Sequence, residues 1–285
     1  MAHSKQSNGS GARSAELAFS GFVHDVCSAI HALTVASPFF RSLNLERFDL
    51  EWAHPQCPLA HPFDGGQAAL LERSVERTAA QLDEDGLAYP RLVSPLVERW
   101  DDLERETLAP PLHLSRHPFL LARFGARAIQ PAAMLTRQWF RGARARGLFA
   151  GLAAHSFLPL DRAPSSAIGL VLALSRHAVG WPMSRGGSQK LADALVACVR
   201  GLEGMITTGQ DAQNLEELPH AQITFLDLTP RQVLRVAGPQ LGRRYRKQLE
   251  RFRCGPGIFA HILQGIGGPF CSVAPALRSR AWRQI

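Results

Sequence analysis

The stretch WPMSRGGSQKLADALVACVRGLEGMITTG, from Trp181 to Gly209, decides the reading of this chain. Arg185-Gly186-Gly187-Ser188 supplies a turn, because glycine tolerates positive φ and lets the backbone approach other groups closely. Ser188 is placed to cap a helix by accepting a hydrogen bond from a first-turn amide. Leu191, Leu195, Val196 and Val199 then fall at helical spacing and predict one apolar face. Gly201 and Gly204 end that helix, and Met205-Ile206-Thr207-Thr208 begins a β-rich run. Taken alone, a glycine pair ahead of a helix is more often architecture than a ligand site.

The order of parts is more specific: Pro-x-x-x-Gly-Gly from Pro182, a helix, Gly-x-Ile-x-x-Gly from Gly204, then Leu215-Glu216-Glu217-Leu218-Pro219. This order closely resembles the second flavin-contacting segment of the phytoene-desaturase-like FAD-dependent oxidoreductases, a branch of the amine-oxidase-like flavoproteins. In that family the helix and the strand after it return the chain to the FAD domain after a substrate-domain excursion. Gly11, Arg13 and Ser14 match the second half of a Gly-Gly-x-x-Arg-[Ser/Thr] element that lies along the FAD diphosphate and ribose. A guanidinium suits that place, being planar, multivalent and permanently charged. A solvated arginine near a loose terminus is the plain alternative.

The resemblance implies further positions. Gly21-Phe22 and Asp25 match a Gly-Phe-x-x-Asp element, after which the chain passes the flavin ring, so the resemblance implies that Asp25, Cys27, Ser28 and His31 lie near that ring or on the substrate side. Gly186 and Gly187 are expected at the cofactor. Ala212 stands where the family has a valine whose backbone meets the adenine. No catalytic acid or base is nominated, since no pair of titratable groups has a geometric claim in the sequence. His24 and His31 read as ordinary hydrogen-bonded histidines.

The implied fold is α/β with α+β character: a discontinuous remnant of a Rossmann-like FAD domain (11–40 and 184–240) and a mostly helical substrate domain with a small sheet (41–183). Residues 1–10 have the small, polar composition of a disordered tail, and 241–285 begins a return to the substrate domain that then loses the match. Strands are expected at Gly204–Thr208 and Ile223–Leu228. Asp64-Gly65-Gly66 marks a hairpin between Pro58–Phe63 and Gln67–Leu71, while Pro131 and Gly142 mark helix starts. The family's primary Gly-x-Gly-x-x-Gly fingerprint is absent from the 285 residues, so the chain is expected to be a central portion of a longer flavoprotein that binds FAD poorly.

Composition sets the outer bounds. An apolar content of 46% and a charged content of 20% are those of a globular protein. No apolar run approaches the ~18–20 residues of a membrane span, and the N-terminus has no apolar core of a secretory signal; the cytoplasm is the default location. The net charge of +8 comes almost wholly from arginine, with Lys5, Lys190 and Lys247 as the only lysines. These arginines are spread beside Glu and Asp, which argues against a nucleic-acid partner. Arg116, Arg123, Arg127, Arg137, Arg141, Arg144 and Arg146 form either a solvated face or a peripheral contact for anionic lipid. Cys27, Cys57, Cys198, Cys254 and Cys271 have no metal-ligand spacing and read as reduced thiols. The expected partner is an apolar small molecule and the expected cofactor FAD; a non-catalytic binding remnant and an arginine-rich membrane-associated helical protein are the alternatives. Substrate identity and oligomeric state are not encoded in any recognisable motif.

Overall fold

The computed structural model describes residues 11–17, 20–55, 57–64, 66–110 and 113–255. They fall into two units, 11–204 and 205–255. The sequence-predicted tail at 1–10, the last segment to 285 and Cys271 lie outside the described residues, wholly or in part.

The first unit opens with an antiparallel pair, β1 (Ser14–Glu16) and β2 (Val23–Asp25), in which Ser14 faces Asp25. Two short helices follow, α1 (Ala32–Ala36) and α2 (Pro38–Leu43), then β3 (Trp52–Ala53). β4 (Leu59–Pro62) and β5 (Ala68–Leu71), the strands on either side of the expected turn, pair antiparallel with Leu59 opposite Leu71. Seven helices come next: α3 (Val75–Ala79), α4 (Ala88–Val97), α5 (Trp100–Thr107), α6 (Pro118–Ala128), α7 (Ala132–Trp139), α8 (Ala143–Ala154) and α9 (Ser165–Ala178). The unit closes with β6 (Met183–Ser184), antiparallel to β3, and α10 (Gln189–Gly201). The second unit carries α11 (Pro230–Ala237), whose capping box joins Thr229 to Gln232, and the basic α12 (Arg243–Glu250) packed on α11.

About half of the described residues are helical, and among them the strands form only two-stranded antiparallel sheets. The strands expected at Gly204–Thr208 and Ile223–Leu228 do not form. Met205, Ile223 and Phe225 are 96%, 70% and 90% exposed. Strand preference of β-branched and aromatic residues expresses packing against cross-strand neighbours, and a segment with no paired neighbour does not realise it.

The core is built around α9, whose Leu170, Ala173 and Leu174 are fully buried and which packs on α8, α6 and α4. Leu148, Phe149 and Leu152 of α8 face it, as do Leu92, Val93 and Leu96 of α4. Tyr89, Leu92, Val93 and Leu96 repeat at helical spacing, which is why α4 forms and which face it buries. Each such side chain contributes about 1.5–3 kcal/mol when removed from water. Helix starts follow local signals: Pro118 opens the first turn of α6, while Pro131 and Gly142 immediately precede α7 and α8.

Distant side chains close several helix ends. Buried Asp85 accepts the Arg141 and Gly142 amides at 2.8 and 2.7 Å and so caps α8. Glu106 of α5 accepts the Arg116 and His117 amides at 2.8 and 3.0 Å just ahead of α6. Its other oxygen meets His113 Nε2 at 2.7 Å; this bond first, then those from Ser115 and the two amides, holds the carboxyl at about 2. At the other end of α9, the guanidinium of Arg73 donates to the carbonyls of His177, Ala178 and Val179 at 3.1, 2.8 and 2.9 Å.

His177 itself is buried between polar partners. Its Nδ1 lies 3.0 Å from the Arg73 carbonyl, an acceptor, so Nδ1 carries the proton, and Nε2 accepts from the Tyr89 hydroxyl at 2.8 Å. Burial drives the His177 pKa from 6.5 down to about 4 and pushes the Tyr89 phenol up. The neutral imidazole is thus the folded form. The unfolded chain takes up a proton near pH 6.5 while the folded chain waits until about pH 4, so the contribution is complete above pH 6.5 and lost as pH falls through that window. We expect urea unfolding of the wild type to lose about 1.4 kcal/mol per pH unit across it from this group. His177→Gln should flatten that slope by a similar amount; an unchanged slope would show that His177 is not buried neutral.

Candidate functional site

The pairing of β3 with β6 sets Trp52 opposite Ser184 and delivers the chain into the Arg185–Gly187 turn. Gly186 and Gly187 have φ of +82° and +95°, a region other residues enter only with strain. The turn is closed by the Gly187 amide to the Ser184 carbonyl at 3.0 Å and by the Ser184 hydroxyl to the Gly187 carbonyl at 2.8 Å.

The β1–β2 hairpin sits directly on this turn. Asp25 Oδ1 accepts the Ser14 hydroxyl and the Ser188 amide, both at 2.6 Å, and Ser14 Oγ in turn accepts the Gln189 amide at 3.1 Å. A Cβ at position 187 would lie 2.9 Å from Ser14 Cβ and 3.1 Å from Val23 Cγ1. Glycine is required there twice over, by its φ and by the hairpin above it.

Ser188 is fully buried, and its hydroxyl does not make the local cap expected from sequence. It donates to the Ser28 carbonyl and accepts from His31 Nε2 at 3.0 Å, which fixes the proton of His31 on Nε2. The His31 amide bonds the Pro182 carbonyl at 3.0 Å, and its ring lies 5.7 Å from that of Trp52. Burial lowers the His31 pKa, and the charge of Asp25 opposes this only in part.

Serine, histidine and aspartate are therefore neighbours, but not as a nucleophilic triad. Asp25 is bonded to the amide of Ser188 rather than shown orienting the imidazole, and the hydroxyl is buried away from solvent. The cluster ties a hairpin, a loop and a helix start together.

Of the sequence-predicted residues, Ser14, Gly187, Ser28 and His31 come together here, Ser28 through its carbonyl. Gly11 and Gly186 are exposed, and Arg13 is half-buried with its carbonyl accepting the Val26 amide at 2.9 Å. Cys27 is an exposed free thiol. Ala212 is half-buried in the second unit. The resemblance placed Asp25 near the flavin ring and local capping assigned Ser188 a first-turn amide; neither signal showed that the two meet at the centre of the cluster.

The predicted apolar face of α10 is also corrected. Leu191 and Ala194 are buried against Leu45 and Leu50, with Leu195 and Cys198 half-buried beside them, whereas Val199 is 41% exposed. The partner surface selects the rows Leu191–Leu195 and Ala194–Cys198 from a helix that is apolar over a wider arc.

The start of α10 is where a dinucleotide's diphosphate would gain most from free amides and the helix dipole. Here the Ser188 and Gln189 amides are already bonded to Asp25 and Ser14, and a carboxylate stands at the positive end. A diphosphate does not fit those amides unless Asp25 is displaced. The exposed edge at Gly11 and Gly186 remains open. Among the described residues no group of three or more His, Cys, Asp or Glu is placed to hold a metal.

Gly187→Val is expected to destabilise the chain by about 2–4 kcal/mol, through strain at positive φ and overlap with Ser14 and Val23. Asp25→Ala should cost about 1–3 kcal/mol by stranding buried donors. Since both changes part the same hairpin from the same helix, the double variant should fall short of additivity in urea unfolding. Full additivity would mean that the two residues do not share one contact.

Comparison with protein-family models, with curated proteins and with solved structures finds no match to this chain.

Proposed function

We propose that the chain carries the flavin-facing return segment and the helical substrate domain of a phytoene-desaturase-like FAD-dependent oxidoreductase acting on an apolar small molecule, and that alone it holds FAD weakly and turns over little. The observation that carries this reading is the seating of the Gly-x-Arg-Ser element on the Gly-Gly turn, with Ser14 bonded to Gln189 across 175 positions of sequence. The resemblance implies such a meeting, and neither segment alone would require it. On this reading 11–40 and 184–240 are the remnant of the FAD domain, and Gly11, Arg13 and Gly186 form the edge along the diphosphate and ribose. The backbone at Ala212 would meet the adenine, and Cys27, Ser28 and His31 would lie toward the substrate. FAD, when bound, supplies the hydride acceptor. The chain's own contribution is positioning: Asp25 and Ser14 hold the hairpin in register with the turn, and buried His31 stays neutral.

Weak retention follows from the bonds already made at the start of α10, since a diphosphate there competes with a tethered carboxylate. Titration of FAD fluorescence with the purified chain is expected to give occupancy well below one flavin per chain, reduced further by Arg13→Glu. A stoichiometric yellow protein would overturn the weak-binding reading. Flavin retention indifferent to Arg13→Glu would remove Arg13 from the site.

One surface favours the membrane alternative as a companion to this reading. No helix among the described residues is long and apolar enough to cross a membrane. On α6, however, Phe119 is 90% exposed and shares a face with Ala122, Arg123 and Ala126, flanked by exposed Arg116 and by Ile129 at 68%. An exposed aromatic among arginines suits peripheral docking on anionic lipid, from which an apolar substrate would be drawn, with the rest of the protein in the cytoplasm. Each such cation near an anionic surface contributes about 1 kcal/mol. Co-sedimentation is expected with phosphatidylserine-containing vesicles and not with neutral ones, and Phe119→Ser with Arg123→Glu should reduce it. Equal retention on both vesicle types, or preferential salt-dependent retention on DNA, would count against the lipid partner.

A further inference from the structure

A second concentration of charge lies away from the hairpin, where β5 and the start of α3 meet the end of α9. A cavity of about 690 Å³ there is lined by His54, Cys57, Glu72, Arg73, Arg77 and Arg176, with Leu70 as an apolar wall. Three guanidinium-bearing side chains therefore face one space against a single carboxylate.

Each arginine is held differently. Arg73 is locked by its three bonds to the last carbonyls of α9, which leaves two of its five N–H groups beyond those contacts. Its Nη1 and His54 Nδ1 both press on Gly180, where a Cβ would come within 2.7 and 3.2 Å of them. Gly180 has φ of +90°, so the backbone there accommodates only glycine without strain. Arg176 is 3% exposed, with Nε 3.4 Å from the Leu71 carbonyl. Arg77 stands at the rim, its side chain 77% exposed and 3.8 Å from Glu72, a pairing too long and too solvated to neutralise it.

The charges act on one another across the cavity. Burial, followed by the charge of Arg73, brings the Arg176 guanidinium down to about 10. Burial, then Arg73, then Arg176 lower the imidazole of His54, so this histidine is neutral and able to accept or donate. Like charges gathered around an open space are costly unless an anion joins them, and planar guanidinium groups match the paired oxygens of carboxylate and phosphate.

We propose that this cavity is a binding site for a small doubly charged oxyanion of the phosphate or phosphomonoester class, gripped by Arg73, Arg77 and Arg176, with His54 as a neutral hydrogen-bonding partner. The balance of three arginines against Glu72 matches a dianion. The volume leaves room for a small organic stem beside Leu70. This site is independent of the flavin reading, because none of its residues belongs to the hairpin, the Gly-Gly turn or α10.

Calorimetric titration of the full chain with inorganic phosphate and, separately, with glycerol phosphate tests it, both at constant ionic strength set with chloride. Saturable binding is expected for both; tighter binding of glycerol phosphate assigns the stem, and equal binding assigns the phosphate group alone as the determinant. Arg77→Ala, a rim substitution that leaves the core intact, should weaken either ligand about tenfold, the loss of one charged hydrogen bond. Arg176→Met should abolish binding, with unfolding measured in parallel to establish that the variant is folded. No heat beyond the chloride control, or an affinity unchanged by Arg77→Ala, would overturn the site.

Discussion

The fold depends on how its helix ends are closed. An α-helix leaves four amides and four carbonyls without partners inside itself, and its dipole makes the first end positive and the last negative. In this chain, distant residues supply much of that closure. Asp25 and Ser14 take the first amides of α10, Asp85 takes those leading into α8, and Glu106 takes those ahead of α6. Arg73 donates to the last carbonyls of α9. Each bond satisfies a helix end and also fixes that helix against another segment, so capping and tertiary placement become the same event.

That double use bears directly on function. A helix start offers an anion site only while its amides remain available, and the first two of α10 already belong to the chain's own side chains. The glycine turn thus has a sufficient architectural reason in the hairpin that covers it. Between β5 and α9 the arrangement is the reverse: arginine side chains surround open space, and one carboxylate stands against three of them. The anion site proposed for the first unit accordingly rests on guanidinium groups rather than on backbone amides.

Much of the helical region was legible because hydrophobic spacing and local breakers act over a few residues. Pro131 and Gly142 mark two helix starts, and Asp64-Gly65-Gly66 marks the connection between β4 and β5. Pro95 inside α4 removes an amide from its ladder, and Trp100 begins α5 as a separate helix. The resemblance pointed to the Ser14 and Gly187 regions, but it did not reveal that Asp25 would bridge them. Local propensity also failed at Met205–Thr208 and Ile223–Leu228, since a strand is completed by a neighbour that the segment itself does not specify.

The amino-acid sequence by itself determined the helix starts after Pro131 and Gly142, the helix after Ser188, the strands on either side of Asp64-Gly65-Gly66, and that the charge would be carried by arginine. Those properties follow from side-chain spacing, backbone freedom and composition, all local quantities. Only the tertiary structure decided which face of α10 is buried, which carboxylate closes which helix, and which arginines share a cavity. Those outcomes depend on residues up to 175 positions apart meeting at hydrogen-bond distance. A bond of that kind exists only once both segments are packed, and no periodicity along the chain encodes it.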